Sequence, residues 1–208
     1  MQKGMLIVIS APSGTGKSTI CHKLLKKRRN LRYSISCTTR QPRPGEKNGK
    51  HYFFLDEDEF KRKIQRHEFL EWAVVHDHYY GTPRHFIETT IKEGSSILLA
   101  IDVKGAQAIQ RKIPDSVLVF VAPPSIESLK ERLAARRDAS ESVAKRLANS
   151  KGEFSAAKNY DYLVVNDELD KAVEQIEAIL TAESLRVSRQ PVSDLVRGQN
   201  LHAGGVHV

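Results

Sequence analysis

An α/β fold with a mainly parallel sheet flanked by helices is predicted by three features of this 208-residue sequence. Four apolar runs, at 5–9, 97–101, 117–121 and 162–165, lack the polar alternation of half-exposed strands and read as strands covered on both faces. Helical patterns separate these runs, the rhythm of an α/β core. A glycine-rich turn, Ala11-Pro12-Ser13-Gly14-Thr15-Gly16-Lys17-Ser18, joins the first run to the first helix.

The elements follow in order. After the strand at 5–9, Gly14 and Gly16 let the backbone bend so that its N–H groups face an anion. The helix over 17–28 turns Ile20, Leu24 and Leu25 inward and Lys23, Lys26 and Lys27 outward. Its first turn offers the positive end of its dipole to the same anion. Lys26-Lys27-Arg28-Arg29 reads as a solvated helix end. Residues 33–96 break the alternation. They hold strand-like pieces at 33–37, 51–55, 70–75 and 78–80 and two helices, which predicts an insertion with a small mixed sheet. One helix has Asp56 as N-cap with Glu59 three residues on; the other has Thr82 as cap and Pro83 as first residue.

Beyond the strand at 97–101 come a helix over 104–112, the strand at 117–121 and a helix over 125–136 carrying Ile126, Leu129 and Leu133. A charged helical hairpin at 134–150, too polar for a core, reads as a mobile cover. The last strand, 162–165, precedes a helix over 168–186 with Leu169, Val173, Ile176, Ile179 and Leu180 on one stripe. The expected organisation is one domain over 4–186, with core segments 4–32, 97–133 and 151–186, an insertion at 33–96, a lid at 134–150 and a weakly periodic tail at 187–208.

The formal charge of +8 and pI of about 9.5 suit either nucleic-acid binding or the gathering of several phosphates. No basic–aromatic interleaving suited to stacking bases is present, so no nucleic-acid partner is expected. No run approaches the ~20 apolar residues of a membrane span. The chain enters a strand almost at once, leaving no room for a signal peptide. Cys21 and Cys37 lack metal or redox spacing and read as reduced thiols, so a cytoplasmic location is expected.

The glycine-rich turn fits the phosphate-loop pattern G-x-x-x-x-G-K-[ST] apart from Ala11 in place of the first glycine. This predicts a P-loop NTPase core. Lys17 would place its charge on the outer phosphates and the Ser18 hydroxyl would ligate Mg²⁺. A second constellation lies at 34–45, where Arg40 and Arg43 stand three apart in a segment stiffened by Pro42 and Pro44. Two guanidiniums on a rigid loop form an oxyanion clamp, here for a phosphate on an acceptor.

The chain resembles the guanylate kinases. The resemblance rests on the phosphate loop Ala11–Thr19, on Thr38-Thr39-Arg40-Gln41-Pro42-Arg43-Pro44-Gly45-Glu46, and on Gly49-Lys50-His51-Tyr52-Phe53. Further matches are Phe69-Leu70-Glu71-Trp72, Tyr79-Tyr80-Gly81-Thr82, Ile101-Asp102 with Gly105-Ala106, Lys145-Arg146 and Tyr160-Asp161-Tyr162. They run in unbroken order over about 4–186. The resemblance implies ATP + GMP ⇌ ADP + GDP with Mg²⁺, hence a place in purine nucleotide metabolism and GMP recycling. The implied ATP site is Ala11, Pro12, Ser13, Gly14, Thr15, Gly16, Lys17, Ser18 and Thr19, with Asn166 at adenine. Ser36, Arg40, Arg43, Tyr52 and Tyr80 would hold the GMP phosphate. Glu71 would read guanine N1–H and the exocyclic amine, and Thr82 would donate to O6. Asp102 would serve both GMP and Mg²⁺, beside Ser18. Lys17, Arg132, Arg136 and Arg146 would stabilise the transferring phosphoryl group. Monomers or small homo-oligomers fit this reading.

One departure concerns the strand before Asp102. Ala100 stands where the family usually has an aspartate, on the same strand face as Asp102, which leaves the site one carboxylate short. A kinase of sugar phosphates needs no guanine reader such as Glu71. A catalytically dead scaffold of this family would have lost Lys17 and the lid arginines, which this chain keeps.

Overall fold

The computed structural model describes residues 3–75, 77–135 and 143–192. The chain begins with β1 (Leu6–Ser10), α1 (Lys17–Lys27), β2 (Leu31–Tyr33), β3 (Cys37–Thr38), β4 (Phe53–Phe54) and α2 (Glu57–Gln65). It continues with β5 (Phe69–Val75), β6 (His78–Pro83), α3 (Arg84–Lys92), β7 (Ser96–Ala100) and α4 (Val103–Lys112). The last elements are β8 (Val117–Ala122), α5 (Ile126–Ala134), α6 (Val143–Ala156), β9 (Tyr162–Val165) and α7 (Leu169–Ser184).

Five strands form a parallel sheet in the order β2-β7-β1-β8-β9. The four apolar runs are its inner strands and one edge. The other edge, β2, straddles the boundary expected from the sequence between the core segment 4–32 and the insertion at 33–96. Its three residues carry too little pattern to be read alone, and pairing of Leu31 and Tyr33 with Ser96 and Leu98 defines them. Every residue of β1 is buried. Ile7 and Ile9 face Ile20, Leu24, Val173 and Ile176 of α1 and α7. Leu6 and Val8 face the other layer, with Ile87 of α3 and Ile109 of α4. This two-sided cover is why the strands read as continuous apolar runs.

The second sheet, β4-β3-β6-β5, is mixed: β3 and β4 run parallel, while β6 is antiparallel to β3 and β5. Asp56 caps α2 by accepting from the Glu59 N–H at 2.7 Å. Phe60 of α2 stacks on Phe69 with ring centroids 4.5 Å apart. The sheet is moored to the core at the start of β5. Leu70 is buried in the core beside Ile109. Lys112 of α4 donates to its carbonyl at 2.6 Å. Glu71 is thereby set against the N-terminal end of α4.

Helix α3 starts at Arg84 with Pro83 as its cap residue and no side-chain cap bond. The expectation of a Thr82 cap fails because the Thr82 hydroxyl donates to Glu71 instead. Residues 187–189 of the expected weakly ordered tail form a 3-10 turn. Buried Arg189 donates through Nη1 to Glu183 Oε2 at 2.6 Å and through Nη2 to the Asp115 carbonyl at 2.7 Å. Removing Arg189 leaves the buried Oε2 of Glu183 without its partner, while Oε1 keeps Tyr162 and Arg186. Arg189→Ala should therefore cost about 3 kcal/mol in urea unfolding, with no change in substrate affinity.

Candidate active site

The site occupies the carboxyl ends of the parallel strands, where the phosphate loop follows β1 and Asp102 follows β7. Gly14 and Gly16 adopt φ of 94° and 96°, a region that residues with a Cβ avoid. The Asn166 amide ties the loop down by donating to the Thr15 carbonyl at 2.6 Å. Asn166 is buried beneath the loop, and its own carbonyl accepts from Arg132 Nη1 at 3.1 Å. These two predicted residues thus brace the loop from α5 and the end of β9.

A cavity of about 270 Å³ opens over the loop. Ala11 to Gly14 and Gly16 to Thr19 line it, together with Arg43, Tyr52, Asp102 and Arg146 among others. Thr15 is buried behind them. A second cavity, about 110 Å³, adjoins the first and is lined by Ser36, Glu71, Tyr80 and Ala100. Lys17, Tyr52 and Asp102 line both. The phosphate loop and Arg43, far apart in sequence, therefore share one cleft, while Arg40 lines neither cavity. Arg136 lies outside the described residues.

Lys17 donates through Nζ to the Ile101 carbonyl at 3.0 Å. Burial holds its pKa below the usual lysine value, against the pull of Cys21, Asp102 and Glu153. Asp102 caps α4, its Oδ1 accepting from the N–H groups of Lys104 at 2.8 Å and Gly105 at 3.2 Å. Ser18, exposed at the loop, and the carboxylate of Asp102 are hard oxygen donors that line the same cavity. That donor set suits Mg²⁺, which takes one or two protein oxygens and completes its shell with phosphates and water.

Glu71 is buried and accepts from Thr82 through Oε1. The residues lie directly opposite on β5 and β6. Burial raises the Glu71 pKa to about 7, with the Thr82 bond opposing and Asp102 adding to the rise. A Cβ on Gly105 would come within 3.0 Å of Glu71 Oε2, so the glycine clears the carboxylate's position. Glycine 105 carries no local turn signal, and only the packing of α4 on β5 reveals its use.

In the sequence Glu46 is only part of a motif. It holds the arginine loop together: Arg40 Nη2 lies 3.0 Å from each Glu46 oxygen, and the Arg43 N–H donates to Oε2 at 2.7 Å. The Arg40 guanidinium also sits 5.4 Å from the Tyr52 ring centroid. Tyr52 and Tyr80 pack edge to face with centroids 6.0 Å apart. Glu46→Gln should loosen both arginines and raise the acceptor KM about tenfold with little change in kcat, as steady-state kinetics would show. Asn149 and Glu153 of α6 also line the phosphate-loop cavity, and neither stood out in the sequence.

The guanylate kinase family model matches residues 3–183. Guanylate kinase from Caldanaerobacter subterraneus subsp. tengcongensis is 49% identical over 189 residues, covering 90% of this chain and 92% of its own. That of Carboxydothermus hydrogenoformans is 46% identical over 199 residues, covering 95% and 98%. The crystal structure of guanylate kinase from Anaplasma phagocytophilum superposes with a TM-score of 0.82 at 35% identity, covering 95% of each chain. With matches of this extent running through both sheets and both cavities, the chain belongs to the guanylate kinase family.

Proposed function

We propose that this enzyme transfers the γ-phosphoryl group of ATP to GMP, giving ADP and GDP, within purine nucleotide metabolism and GMP recycling. The observation that carries the reading is the shared wall of Lys17, Tyr52 and Asp102 between the phosphate-loop cavity and the Glu71 cavity. A donor triphosphate on the loop and an acceptor base at Glu71 would meet there. An oxygen of the GMP phosphate attacks the γ-phosphorus in line. The new P–O bond forms as the bond to the β,γ-bridging oxygen breaks, and ADP leaves with that electron pair.

Such a transfer needs alignment and charge stabilisation more than a base. Lys17, the loop N–H groups and Arg146 supply positive potential on the donor side. Arg40 and Arg43, braced by Glu46, hold the acceptor phosphate with Ser36, Tyr52 and Tyr80. Arg132 supports the loop through Asn166, and Arg136 is assigned to the same phosphates by its place in the sequence. Glu71 accepts from guanine N1–H and the exocyclic amine. Adenine offers no N1 proton, so a buried carboxylate would be left unpaired, a discrimination of roughly 10⁴-fold. Mg²⁺, held by Ser18 and Asp102 with the phosphates, would neutralise charge on the donor.

Both cysteines are buried thiols, and among the described residues no helix is long and apolar enough to cross a membrane. The reduced thiols support a cytoplasmic enzyme, and a monomer or small homo-oligomer is proposed from the family resemblance. A coupled assay of ADP formation with GMP, dGMP, AMP, UMP and CMP in turn tests the reading. GMP should be the preferred acceptor; equal rates with AMP would sink the assignment of Glu71.

A further inference from the structure

Arg146, Asn149 and Glu153 fall at i, i+3 and i+7 of α6, which places them along one face of the helix. All three line the phosphate-loop cavity. That face therefore presents a cation at one end and a carboxylate at the other to the same loop. Arg146 suits a triphosphate directly. Glu153 does not, because a carboxylate facing three phosphates is repulsive unless a cation lies between them. Asp102 lines the same cavity from the opposite element, so an incoming triphosphate meets two carboxylates. The strand itself offers only one, since position 100 is alanine. The second comes from α6.

We propose that Glu153 makes nucleotide capture conditional on magnesium, repelling metal-free ATP and favouring the metal-loaded form. The inference rests on reading this cavity as the ATP site. Metal-loaded ATP carries two fewer negative charges and brings a hard cation that Glu153, Asp102 and Ser18 can meet through oxygen or water. Glu153 lies within electrostatic reach of Lys17 and Asp102, which line the same cavity, and it is charged above neutral pH. Burial raises the Glu153 pKa to about 7, against the pull of Lys17 and with a further push from Asp102. The role also explains a carboxylate on the same face of α6 as Arg146, where a cation alone would bind any polyphosphate.

The test is calorimetric titration of the full chain at pH 8 with a β,γ-imido analogue of ATP. One series contains excess Mg²⁺ and the other a chelator. Wild type should bind the metal-loaded analogue about 30-fold more tightly than the metal-free one. Glu153→Gln should shrink that ratio about fivefold or more, chiefly by tighter binding of the metal-free form. Glu153→Asp, which keeps the charge, should hold the ratio within about twofold to threefold of wild type. GMP titrated alone reports whether each variant is folded. If Glu153→Gln does not fold, Glu153→Ala carries the same comparison. A wild-type ratio in the uncharged variant, or equal loss of both forms, overturns the proposal. Failure of wild type to bind the analogue in either form would overturn the reading of the cavity itself, and is told apart by that control.

Discussion

Lys17→Ala should lower kcat/KM for GMP phosphorylation by about 10³-fold or more, with most of the loss in kcat. The ammonium stands at the junction of the two cavities, within 3.0 Å of the Ile101 carbonyl. Its charge matters most when negative charge spreads over the transferring group, and among the described residues no other lysine lines either cavity. The fold should be nearly indifferent. Lys17 is half-buried at the first position of α1, and its loss removes a single hydrogen bond to a carbonyl. A stability change within about 1 kcal/mol is expected. Steady-state kinetics beside urea unfolding check both halves. Near-normal turnover in a folded variant would remove Lys17 from the transfer step.

Glu71→Gln should raise the GMP KM by about 10²-fold while stabilising the nucleotide-free protein above neutral pH. The amide accepts through one oxygen and turns a donor toward the two donors of guanine. The stability gain follows from the raised pKa. Folded Glu71 titrates near 7, against about 4.3 for an unfolded glutamate. Its protonated form is favoured by the fold, so that contribution is complete below pH 4.3 and is lost as pH rises through 7. Replacing the carboxyl by an amide avoids the loss, worth about 1–3 kcal/mol at pH 8.

The same shift gives GMP binding a pH dependence of opposite sense. Guanine needs the ionised carboxylate, so the wild-type KM should rise roughly tenfold per pH unit below 7. The acceptor phosphate also titrates near pH 6. Glu71→Gln retains the phosphate contribution and should lose the rest, so the difference between the two profiles isolates Glu71. Profiles that superimpose would show that Glu71 does not read the base. Gly105→Ala offers a check from the other side. Its Cβ would press on Oε2 from 3.0 Å and should weaken GMP without deleting a functional group.

Local spacing carried much of this protein in readable form. Continuous apolar runs announced the inner strands because a strand covered on both faces cannot alternate. The phosphate loop was legible because its glycines, lysine and hydroxyl act within eight residues. Asp56 and Glu59 were legible as a cap because a cap bonds within one turn. The paired arginines could be seen as a clamp, and the family resemblance supplied the roles of Glu71, Asp102 and the lid.

Tertiary structure decided what lies far apart in sequence. Three-residue β2 has too little periodicity to be read, and β7 recruits it to the core sheet through pairing. Thr82 looked like a cap from its neighbours, yet it donates to the Glu71 carboxylate directly opposite on the next strand. A buried carboxylate costs more to leave unpaired than a half-exposed helix end, so the hydroxyl goes there. Gly105 belongs to a family motif that does not reveal its use, and Glu153 carries no local signature. Their positions matter because α4 packs on β5 and α6 faces the phosphate loop. Short-range hydrogen bonding and periodicity are written in neighbouring residues. The meeting of Lys17, Asp102 and Glu153 is set by how buried surfaces pack, which no local window of the sequence contains.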